Sequence, residues 1–216
     1  MNEKIGILGS GMVGQTLASG FLRIGCEVKV GTRDVTKLNE WLGKLNNPKA
    51  SIGTFEDAAK FGNVIVLATH GLATINAIDL AGKNNFKGKV VVDVTNPLDF
   101  SGGPPPKFGV TLGNSLGEQI QKHIPDAKVV KAFNIVNCQV MINAKREEGM
   151  PDMFIAGNDK EAKKWVNELA SKWGWNECID IGGIEESYWL EALTMLWVKY
   201  GFTNNHWSHT FKLLRK

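Results

Sequence analysis

The fold is decided near the amino terminus by the run Lys4-Ile5-Gly6-Ile7-Leu8-Gly9-Ser10-Gly11-Met12-Val13-Gly14. Its first half is apolar and an amphipathic segment follows the glycines, so the pattern predicts a buried strand, a tight turn and a helix. The helix should end at Gly25, and Glu27-Val28-Lys29-Val30 predicts a second strand. In such a strand-turn-helix-strand unit, a glycine triplet is typical of a dinucleotide site.

Each of the three glycines in this turn has a different role in a dinucleotide site. Gly9 permits the tight turn, Gly11 lets the backbone approach a pyrophosphate, and Gly14 lets the helix pack closely on the sheet. The N–H groups of the first helical turn then face the phosphates, and the helix dipole favours their negative charge. The alternative is a turn with a structural role only.

The end of the second strand predicts which dinucleotide binds. Sites for NAD usually carry Asp or Glu there to hold the ribose 2′-hydroxyl, whereas this chain has Gly31-Thr32-Arg33. The Thr32 hydroxyl and the planar Arg33 guanidinium suit a 2′-phosphate, and Lys37 adds charge one turn further on. We therefore expect NADP(H). In the alternative interpretation, Arg33 and Asp34 form a solvated ion pair in a turn.

Strands alternate with helical segments along the rest of the chain. Apolar runs at 64–68, 90–94, 128–132 and 153–156 predict buried strands, with a last strand at 176–181. This alternation is typical of an α/β fold with a doubly wound parallel sheet of the Rossmann type, which we assign to residues 1–182. The segment 99–109 contains three consecutive prolines and is predicted to be a loop without a regular element.

Residues 183–216 are predicted to form a C-terminal helical extension. From Ser187 onward the helix is apolar nearly all round, which indicates that it is buried. Its partner is either the rest of the chain or a second subunit, so a homodimer through this helix is one expected assembly.

Ligands of open parallel sheets bind beyond the carboxyl ends of the strands. Four turns should therefore converge on one cleft, namely Gly9 to Gly14, Ala68-Thr69-His70, Thr95-Asn96-Pro97 and Ala132-Phe133-Asn134. The adenine end of the cofactor would lie by Thr32 and Arg33. The nicotinamide would reach toward His70, Asn96 and Asn134.

No residue near this cleft is a certain catalytic acid or base. His70 is a candidate general acid, and the alternative is a positioning residue that bonds backbone or a cofactor phosphate. Asn134 cannot exchange a proton near neutral pH, so it is a candidate positioner as well. Reducing a ketone needs a proton donor, whereas hydride transfer to a flavin-like ring mainly needs two rings stacked at the right distance. The available residues favour the second reaction.

Composition argues against several classes of protein. Hydrophobic residues make up 43% of the 216 residues and charged residues 22%, as in an ordinary globular protein. A net charge of +3 without a basic aromatic stripe argues against nucleic acid. Cys26, Cys138 and Cys178 have no metal-ligand spacing, and no apolar run reaches the roughly 20 residues that cross a bilayer. We therefore expect a cytoplasmic protein with reduced thiols, no metal and no membrane partner.

Three runs carry a resemblance to known proteins: residues 9–14, Val30-Gly31-Thr32-Arg33 and Val130-Lys131-Ala132-Phe133-Asn134. They resemble the NADP oxidoreductase family dependent on 8-hydroxy-5-deazaflavin and the related cytosolic oxidoreductase domain of the STEAP-type metalloreductases. The similarity extends to 68–70, 155–159 and 191–196, and so to nearly the whole chain. It implies a Rossmann domain, NADP(H), and direct hydride exchange with a deazaflavin or flavin co-substrate.

By position, the resemblance implies a contact for each turn. The first turn would meet the pyrophosphate, Thr32 and Arg33 the 2′-phosphate, and Ala68 with His70 the middle of the cofactor. Ala132, Phe133 and Asn134, which end the predicted strand at 128–132, would border the nicotinamide and the acceptor ring. The full set of expected cofactor-binding residues is Gly9, Ser10, Gly11, Met12, Val13, Gly14, Thr32, Arg33, Lys37, Ala68, Thr69, His70, Asn96, Pro97, Ala132, Phe133 and Asn134.

Three functions remain open. The leading one is an NADP(H)-dependent oxidoreductase that exchanges a hydride between the nicotinamide and a deazaflavin or flavin, a small-molecule acceptor that the proline-rich segment near 103–107 helps to enclose. The first alternative is a reductase of a small carbonyl or imine, with His70 as the acid. The second is a non-catalytic NADP-binding module that senses the redox state of the cofactor.

Overall fold

Residues 3–214, which the computed structural model describes, contain ten strands and eight α-helices. The strands are β1 Lys4–Leu8, β2 Glu27–Thr32, β3 Ala50–Thr54, β4 Val64–Leu67, β5 Val90–Asp93, β6 Leu98–Asp99, β7 Lys107–Phe108, β8 Lys128–Lys131, β9 Met153–Gly157 and β10 Cys178–Asp180. The helices are α1 Met12–Arg23, α2 Asn39–Leu45, α3 Phe55–Phe61, α4 Thr74–Ala81, α5 Leu116–His123, α6 Cys138–Met141, α7 Lys160–Lys172 and α8 Ser187–Asn204. Residues 1, 2, 215 and 216, at the outer ends of the predicted segments 1–182 and 183–216, lie outside the described residues.

One sheet of eight strands runs through the molecule in the order β10-β9-β8-β5-β4-β1-β2-β3. The chain first builds β1 to β3 in one direction and then returns to β4 on the other side of β1, so the switch point lies between β1 and β4. The predicted doubly wound sheet of the Rossmann type is confirmed.

The predicted parallel sheet is confirmed except for one antiparallel pair of strands near one edge. The strands β8 and β9 pair antiparallel, with Val130 opposite Gly157 and Lys131 opposite Ala156, and β10 runs parallel to β9. A parallel neighbour needs a crossover that carries the chain back along the sheet. The connection from β8 to β9 contains only the four-residue helix α6, so the chain turns back from the same edge.

The central strands are apolar on both faces and separate two layers of core. In β4, Val64 and Val66 belong to the layer that includes α1 and α7, while Ile65 and Leu67 belong to the layer of α3, α4 and α5. Each such side chain contributes about 1.5–3 kcal/mol by leaving water. The result is a rigid sheet that fixes the positions of the turns at its carboxyl edge.

The proline-rich segment, predicted to be a loop without a regular element, instead contains a short antiparallel hairpin. Its strands β6 and β7 pair Leu98 with Phe108 and Asp99 with Lys107. The prolines lie in the connection between these strands, where a missing N–H removes no ladder hydrogen bond. We call residues 98–108 the proline hairpin. Two-residue strands carry too little periodicity to be visible in the sequence.

The terminal helix α8 is only partly buried. Leu190, Trp197 and Val198 pack inward against β9 and its surroundings, whereas Trp189 and Leu196 are 53% and 57% exposed. The helix was expected to be buried on all sides, and within this single chain only one side of it is buried. No helix in residues 3–214 combines the length and hydropathy needed to span a bilayer.

Candidate functional site

A cleft of about 280 Å³ opens at the carboxyl ends of β1, β2 and β4. It brings together nine of the residues expected from the sequence: Gly9, Ser10, Gly11, Thr32, Arg33, Lys37, Ala68, Thr69 and His70. It is also lined by five residues that the sequence pattern did not single out: Asp34, Phe55, Ala73, Asn76 and Ala77. Two of the four predicted turns, the first glycine turn and Ala68-Thr69-His70, therefore share one cavity with the end of β2.

The glycines of the first turn are required for three distinct reasons. Gly9 has φ +130°, which L side chains rarely adopt, and a Cβ there would clash with the Ala68 carbonyl. A Cβ on Gly14 would clash with the carbonyl oxygen of Gly9, so the close approach of α1 to the turn depends on it. A Cβ on Gly11 would meet no protein atom within 4 Å. Gly11 thus leaves open space at the cleft, where a ligand can approach the backbone.

Helix α1 presents the free N–H groups that an anion requires. Its N-cap is Gly11, no side chain caps its first turn, and that turn contains no acidic residue. Unpaired N–H groups at a helix N-terminus bind phosphate oxygens, with the dipole adding to the attraction. The residues present therefore fit the pyrophosphate of a dinucleotide.

The end of β2 carries a fixed hydroxyl and an unpaired cation. The Ser10 hydroxyl donates to Thr32 Oγ1 at 3.0 Å, and the Asp34 N–H approaches the same oxygen at 3.3 Å. Asp34 itself turns toward Thr36, whose hydroxyl donates to its carboxylate at 2.6 Å. That hydrogen bond is the main cause of a lowered pKa for Asp34.

The alternative of an ion pair between Arg33 and Asp34 is not what the structure contains. Asp34 lies 3.9 Å from Lys37 instead, and within residues 3–214 the Arg33 guanidinium has no carboxylate partner. Arg33 is exposed and lines the cleft. A phosphate beside it would meet a full set of free N–H donors.

The His70 side chain stands at the opposite wall of the cleft. It is exposed, and its ring centroid lies 6.3 Å from that of Phe100 on the proline hairpin. Thr69 contacts the Thr74 hydroxyl at 2.8 Å at the start of α4, whereas no hydrogen bond to the His70 ring occurs in the described part of the chain. The ring contact with Phe100 is therefore the contact that positions the imidazole, and its nitrogens are open to a ligand in the cleft.

The fourth predicted turn, after β8, does not send its side chains into the cleft. Phe133 is 1% exposed and packs its ring 5.4 Å from that of Trp173. Asn134 is 2% exposed, and its Nδ2 lies within 3.0 Å of Asn96 Oδ1, of the Leu190 carbonyl and of Thr194 Oγ1. Both side chains are therefore engaged in internal contacts, and neither lines the cleft.

The remaining predicted residues lie around the cleft without lining it. Asn96 is half-buried and donates from Nδ2 to the Asn134 carbonyl at 2.7 Å. Pro97 and Ala132 are buried, Val13 is half-buried against the core, and Met12 is 74% exposed at the start of α1. Met12 and Asn96 thus sit at the rim, while the other three support it.

A buried ionic cluster below the Thr95-Asn96-Pro97 turn was missed by sequence reasoning. Lys131 Nζ lies 2.6 Å from Asp93 and 2.8 Å from Glu191, and all three side chains are 0% exposed. Lys131 also donates to the Thr95 carbonyl at 2.9 Å. Burial alone lowers the pKa of Lys131, but the two carboxylates outweigh it and raise that pKa above its ordinary value. The available signal was an aspartate and a lysine that each end a valine-rich strand, Asp93 in β5 and Lys131 in β8.

Glu191 extends this cluster from the sheet to two helices. It belongs to α8 and accepts hydrogen bonds from the N–H groups of Leu116 and Gly117, both at 3.0 Å. These groups begin α5, where the helix dipole favours an anion. The cluster therefore joins β5, β8, α5 and α8 beneath the predicted nicotinamide end. No group of three His, Cys, Asp or Glu side chains suited to a metal ion occurs among residues 3–214.

Comparisons with known proteins agree with this geometry. The family model described as "NADP oxidoreductase coenzyme F420-dependent" matches residues 4–97. The curated "F420-dependent NADP reductase" of Methanocaldococcus jannaschii is 31% identical over 202 residues, which is 89% of this chain and 90% of that protein. "Metalloreductase STEAP3" of Rattus norvegicus is 29% identical over 89% of this chain, which corresponds to only 36% of its own length.

A solved structure is similar over the whole chain. The crystal structure of a "putative f420 dependent nadp-reductase" from Arthrobacter sp. FB24 has a TM-score of 0.94 and 36% sequence identity, covering 99% of this chain and 100% of that one. The resemblance inferred from the sequence motifs is therefore confirmed. The chain belongs to the family of coenzyme F420-dependent NADP oxidoreductases.

Proposed function

We infer that the protein exchanges a hydride between NADP(H) and a deazaflavin or flavin acceptor. The observation that carries this proposal is the cleft at the ends of β1, β2 and β4, which combines free phosphate-binding groups with no evident acid–base pair. Two relatives named as F420-dependent NADP reductases, each similar over most of the chain, support the same chemistry.

The cofactor is proposed to be held by backbone N–H groups and cationic side chains that line the cleft. The N–H groups that begin α1 take the pyrophosphate, and Gly11 leaves the space for its approach. Arg33 and Lys37 pair with the 2′-phosphate, while the Ser10 hydroxyl holds the Thr32 hydroxyl in place beside them. When bound, NADPH supplies the hydride.

The chain's own residues then have to orient two rings and exclude water. His70 is exposed, and its ring forms no hydrogen bond within residues 3–214. Both properties suit a positioning residue that contacts the middle of the cofactor. Asn134 is proposed to act through Asn96, because its amide holds that side chain against α8. A flavin-like ring delocalises the incoming charge, so no side chain has to deliver a proton in the same step.

The acceptor ring is proposed to lie under the proline hairpin. Phe100, 48% exposed, faces the His70 ring, and Phe108 lies 5.7 Å from Tyr188 of α8. Leu72 and Met12 add exposed apolar surface at the same mouth, at 53% and 74% exposure. A planar apolar acceptor would cover these side chains, and removing their apolar surface from water lowers the free energy of the complex.

A second subunit is proposed to cover the outer side of α8. Trp189, Leu196 and Tyr200 are 53%, 57% and 47% exposed there, and large apolar side chains grouped on one helix usually contact a partner. Light scattering on wild type and Leu196→Glu tests this: a dimer that dissociates in the variant is expected, and a wild-type monomer overturns it. We further propose a cytoplasmic location, where Cys26, Cys138 and Cys178 stay reduced.

The test of function is an anaerobic assay of NADPH oxidation with a panel of acceptors. The panel contains a deazaflavin, riboflavin, and small carbonyl and imine compounds, and NADH replaces NADPH as the control. Turnover with the ring acceptors and NADPH is expected. Turnover with a carbonyl or imine alone would favour the reductase with His70 as acid. Tight NADPH binding without turnover would favour a redox sensor.

A further inference from the structure

A second cavity, of about 410 Å³, lies between residues 146–151 and residues 206–212 of the C-terminal tail. We call it the tail cavity. Its polar lining includes Arg146, Lys212, Ser208 and Thr210, with His206 beside them. It shares no residue with the cleft at β1, β2 and β4.

The tail cavity lies at the same edge of the sheet as the proposed nicotinamide end. Because β9 runs antiparallel to β8, the residues that precede Met153 lie where β8 ends. The Phe133 N–H contacts the Met153 sulfur at 3.1 Å, which fixes the two segments side by side. An anion bound between Arg146 and Lys212 therefore lies on the reactive side of the molecule.

The walls of the tail cavity are held by hydrogen bonds to neighbouring segments. The Leu213 N–H donates to Asp152 Oδ2 at 2.8 Å, and the Asp152 N–H donates to the Phe211 carbonyl at 3.2 Å. Asn137 donates from Nδ2 to the Trp207 carbonyl at 2.6 Å. The tail is thus docked at several points, and the cavity is a formed feature of the fold.

The two cations of the tail cavity are fixed by neutral groups and keep most of their donors. Arg146 Nη2 donates to the Ser208 carbonyl at 3.2 Å, and Lys212 Nζ donates to the Met150 carbonyl at 3.0 Å. Among residues 3–214 neither forms an ion pair. A guanidinium has five N–H donors and an ammonium three, so both retain donors after these contacts.

The charge balance of the tail cavity favours a negative ligand. Arg146 and Lys212 face one lining carboxylate, Glu148, which is exposed and pairs with neither cation. The Ser208 hydroxyl lies 3.2 Å from His206 Nε2 and Thr210 adds a second hydroxyl. Two anchored cations and two hydroxyls lining one cavity match the hydrogen-bonding needs of a phosphate or a carboxylate.

We propose that the tail cavity binds the phosphate or carboxylate group of a small molecule. That group has two possible sources, an anionic side arm of the hydride acceptor or a free anion. The first source rests on the proposed function, because it requires the acceptor to lie at the same edge. The second does not.

Binding is tested by adding inorganic phosphate to the full chain, against chloride at equal ionic strength, and following the backbone amides by NMR. The variant is Arg146→Gln/Lys212→Gln, because a glutamine amide still donates to the carbonyls that anchor the tail. The matched control is Lys164→Gln/Lys172→Gln on α7, which removes the same charge from two exposed positions. Saturable shifts at 146–151 and 206–212 are expected in wild type and control, with saturation lost in the variant. Equal, non-saturating shifts in all three proteins overturn the proposal.

The source of the anion is tested with two acceptors that share one ring, riboflavin and riboflavin 5′-phosphate. If the acceptor's arm enters the tail cavity, the KM for the phosphorylated form should be about tenfold lower, as expected for a charge-assisted contact. The variant should then abolish that difference and leave riboflavin unchanged. An unchanged ratio together with saturable phosphate binding identifies the free anion. Phosphate binding without turnover of any acceptor rejects the proposed function and leaves this site standing.

Discussion

The two ends of the cofactor cleft are built in opposite ways. At the adenine end, Arg33 and the first N–H groups of α1 have no partner among residues 3–214 and can take a ligand. At the predicted nicotinamide end, the side chains of Asn96, Asn134 and Thr194 are joined by hydrogen bonds. The Lys131 ammonium beneath them forms an ion pair with Asp93. The first end binds by leaving donors unpaired. The second end supports a surface by pairing every donor inside the protein.

The contrast predicts different consequences of mutation at the two ends. Changes to Arg33 or Gly11 at the adenine end should alter cofactor affinity and leave folding intact, because neither side chain position makes a contact that the fold depends on. Changes to Asn134, Thr194 or Lys131 at the nicotinamide end should first alter stability, because these side chains are buried and the groups they bond would be left unpaired.

The largest effect is expected for Lys131→Met. Removing the ammonium leaves the Asp93 and Glu191 carboxylates buried without their cation, which costs about 3–5 kcal/mol of unfolding free energy for a broken buried pair. Urea denaturation measures this loss. Lys60→Met is the control, since Lys60 forms an exposed pair with Glu56 at 2.7 Å, and it should change stability little. A loss in Lys131→Met no larger than in the control would contradict the role of the cluster.

The stability of wild type and of Lys131→Met, measured as a function of pH, gives the sign of the Lys131 contribution. The pKa of Lys131 is raised in the folded state, so its stabilising effect is fully present below its ordinary value of 10.5. It is lost as the pH rises beyond that value, because the unfolded chain releases its proton first. The stability difference between wild type and Lys131→Met should therefore shrink as the pH rises above 10.5. A difference that grows above pH 10.5 would have the wrong sign.

The second-largest effect is expected for a pair of glycine substitutions in the first turn. In Gly14→Ala the new methyl meets the Gly9 carbonyl oxygen, so overpacking should cost about 1–3 kcal/mol of stability. In Gly11→Ala the methyl meets no protein atom and the N-cap φ of −74° suits alanine. Gly11→Ala should keep its thermal midpoint and lose about tenfold in NADPH affinity because the methyl occupies the ligand's space. Unchanged affinity in Gly11→Ala would place the pyrophosphate elsewhere.

Arg33→Ala should discriminate between the two dinucleotides. Loss of a charge-assisted contact with the 2′-phosphate should weaken NADPH by about 2 kcal/mol and leave NADH unchanged. Calorimetry with both cofactors measures the difference. Lys44→Ala is the control, since Lys44 is exposed, pairs with Glu40 and does not line the cleft. An equal loss for NADPH and NADH would remove the 2′-phosphate assignment.

The smallest effect is expected for His70→Ala. The imidazole has no hydrogen-bond partner in the described residues, so the rate of hydride transfer to a flavin-like acceptor should stay within about tenfold of wild type. Single-turnover oxidation of bound NADPH measures that rate. A loss of about 100-fold or more would instead identify His70 as a general acid.

The predictable half of the site depends on local sequence. Gly9, Gly11 and Gly14 are fixed by the geometry of one turn, and Arg33 follows directly from the end of β2, so a short window contains the whole pattern. The same holds for most of the sheet, because β4 and β5 are unbroken apolar runs flanked by turns.

The unpredicted half depends on contacts between distant segments. Asn134 turns inward because Leu190 and Thr194, 56 and 60 residues later, accept its hydrogen bonds. Lys131 is buried because Glu191 reaches it from α8. Neither partner is visible until α8 is placed against the sheet. The reversed direction of β9 was missed because strand direction depends on which neighbour the strand pairs with, and the strands of the proline hairpin were missed because two residues carry too little periodicity.

The central claim is that hydride passes directly from the nicotinamide to a ring held beside it. The most direct measurement uses NADPH deuterated at the transferable C4 position and a deazaflavin, whose ring carries carbon at the accepting position and retains what it receives. Mass spectrometry of the reduced acceptor should show one deuterium per molecule in ordinary water. Reduced acceptor without deuterium, or NADPH that binds and is never oxidised, would contradict the proposed reaction.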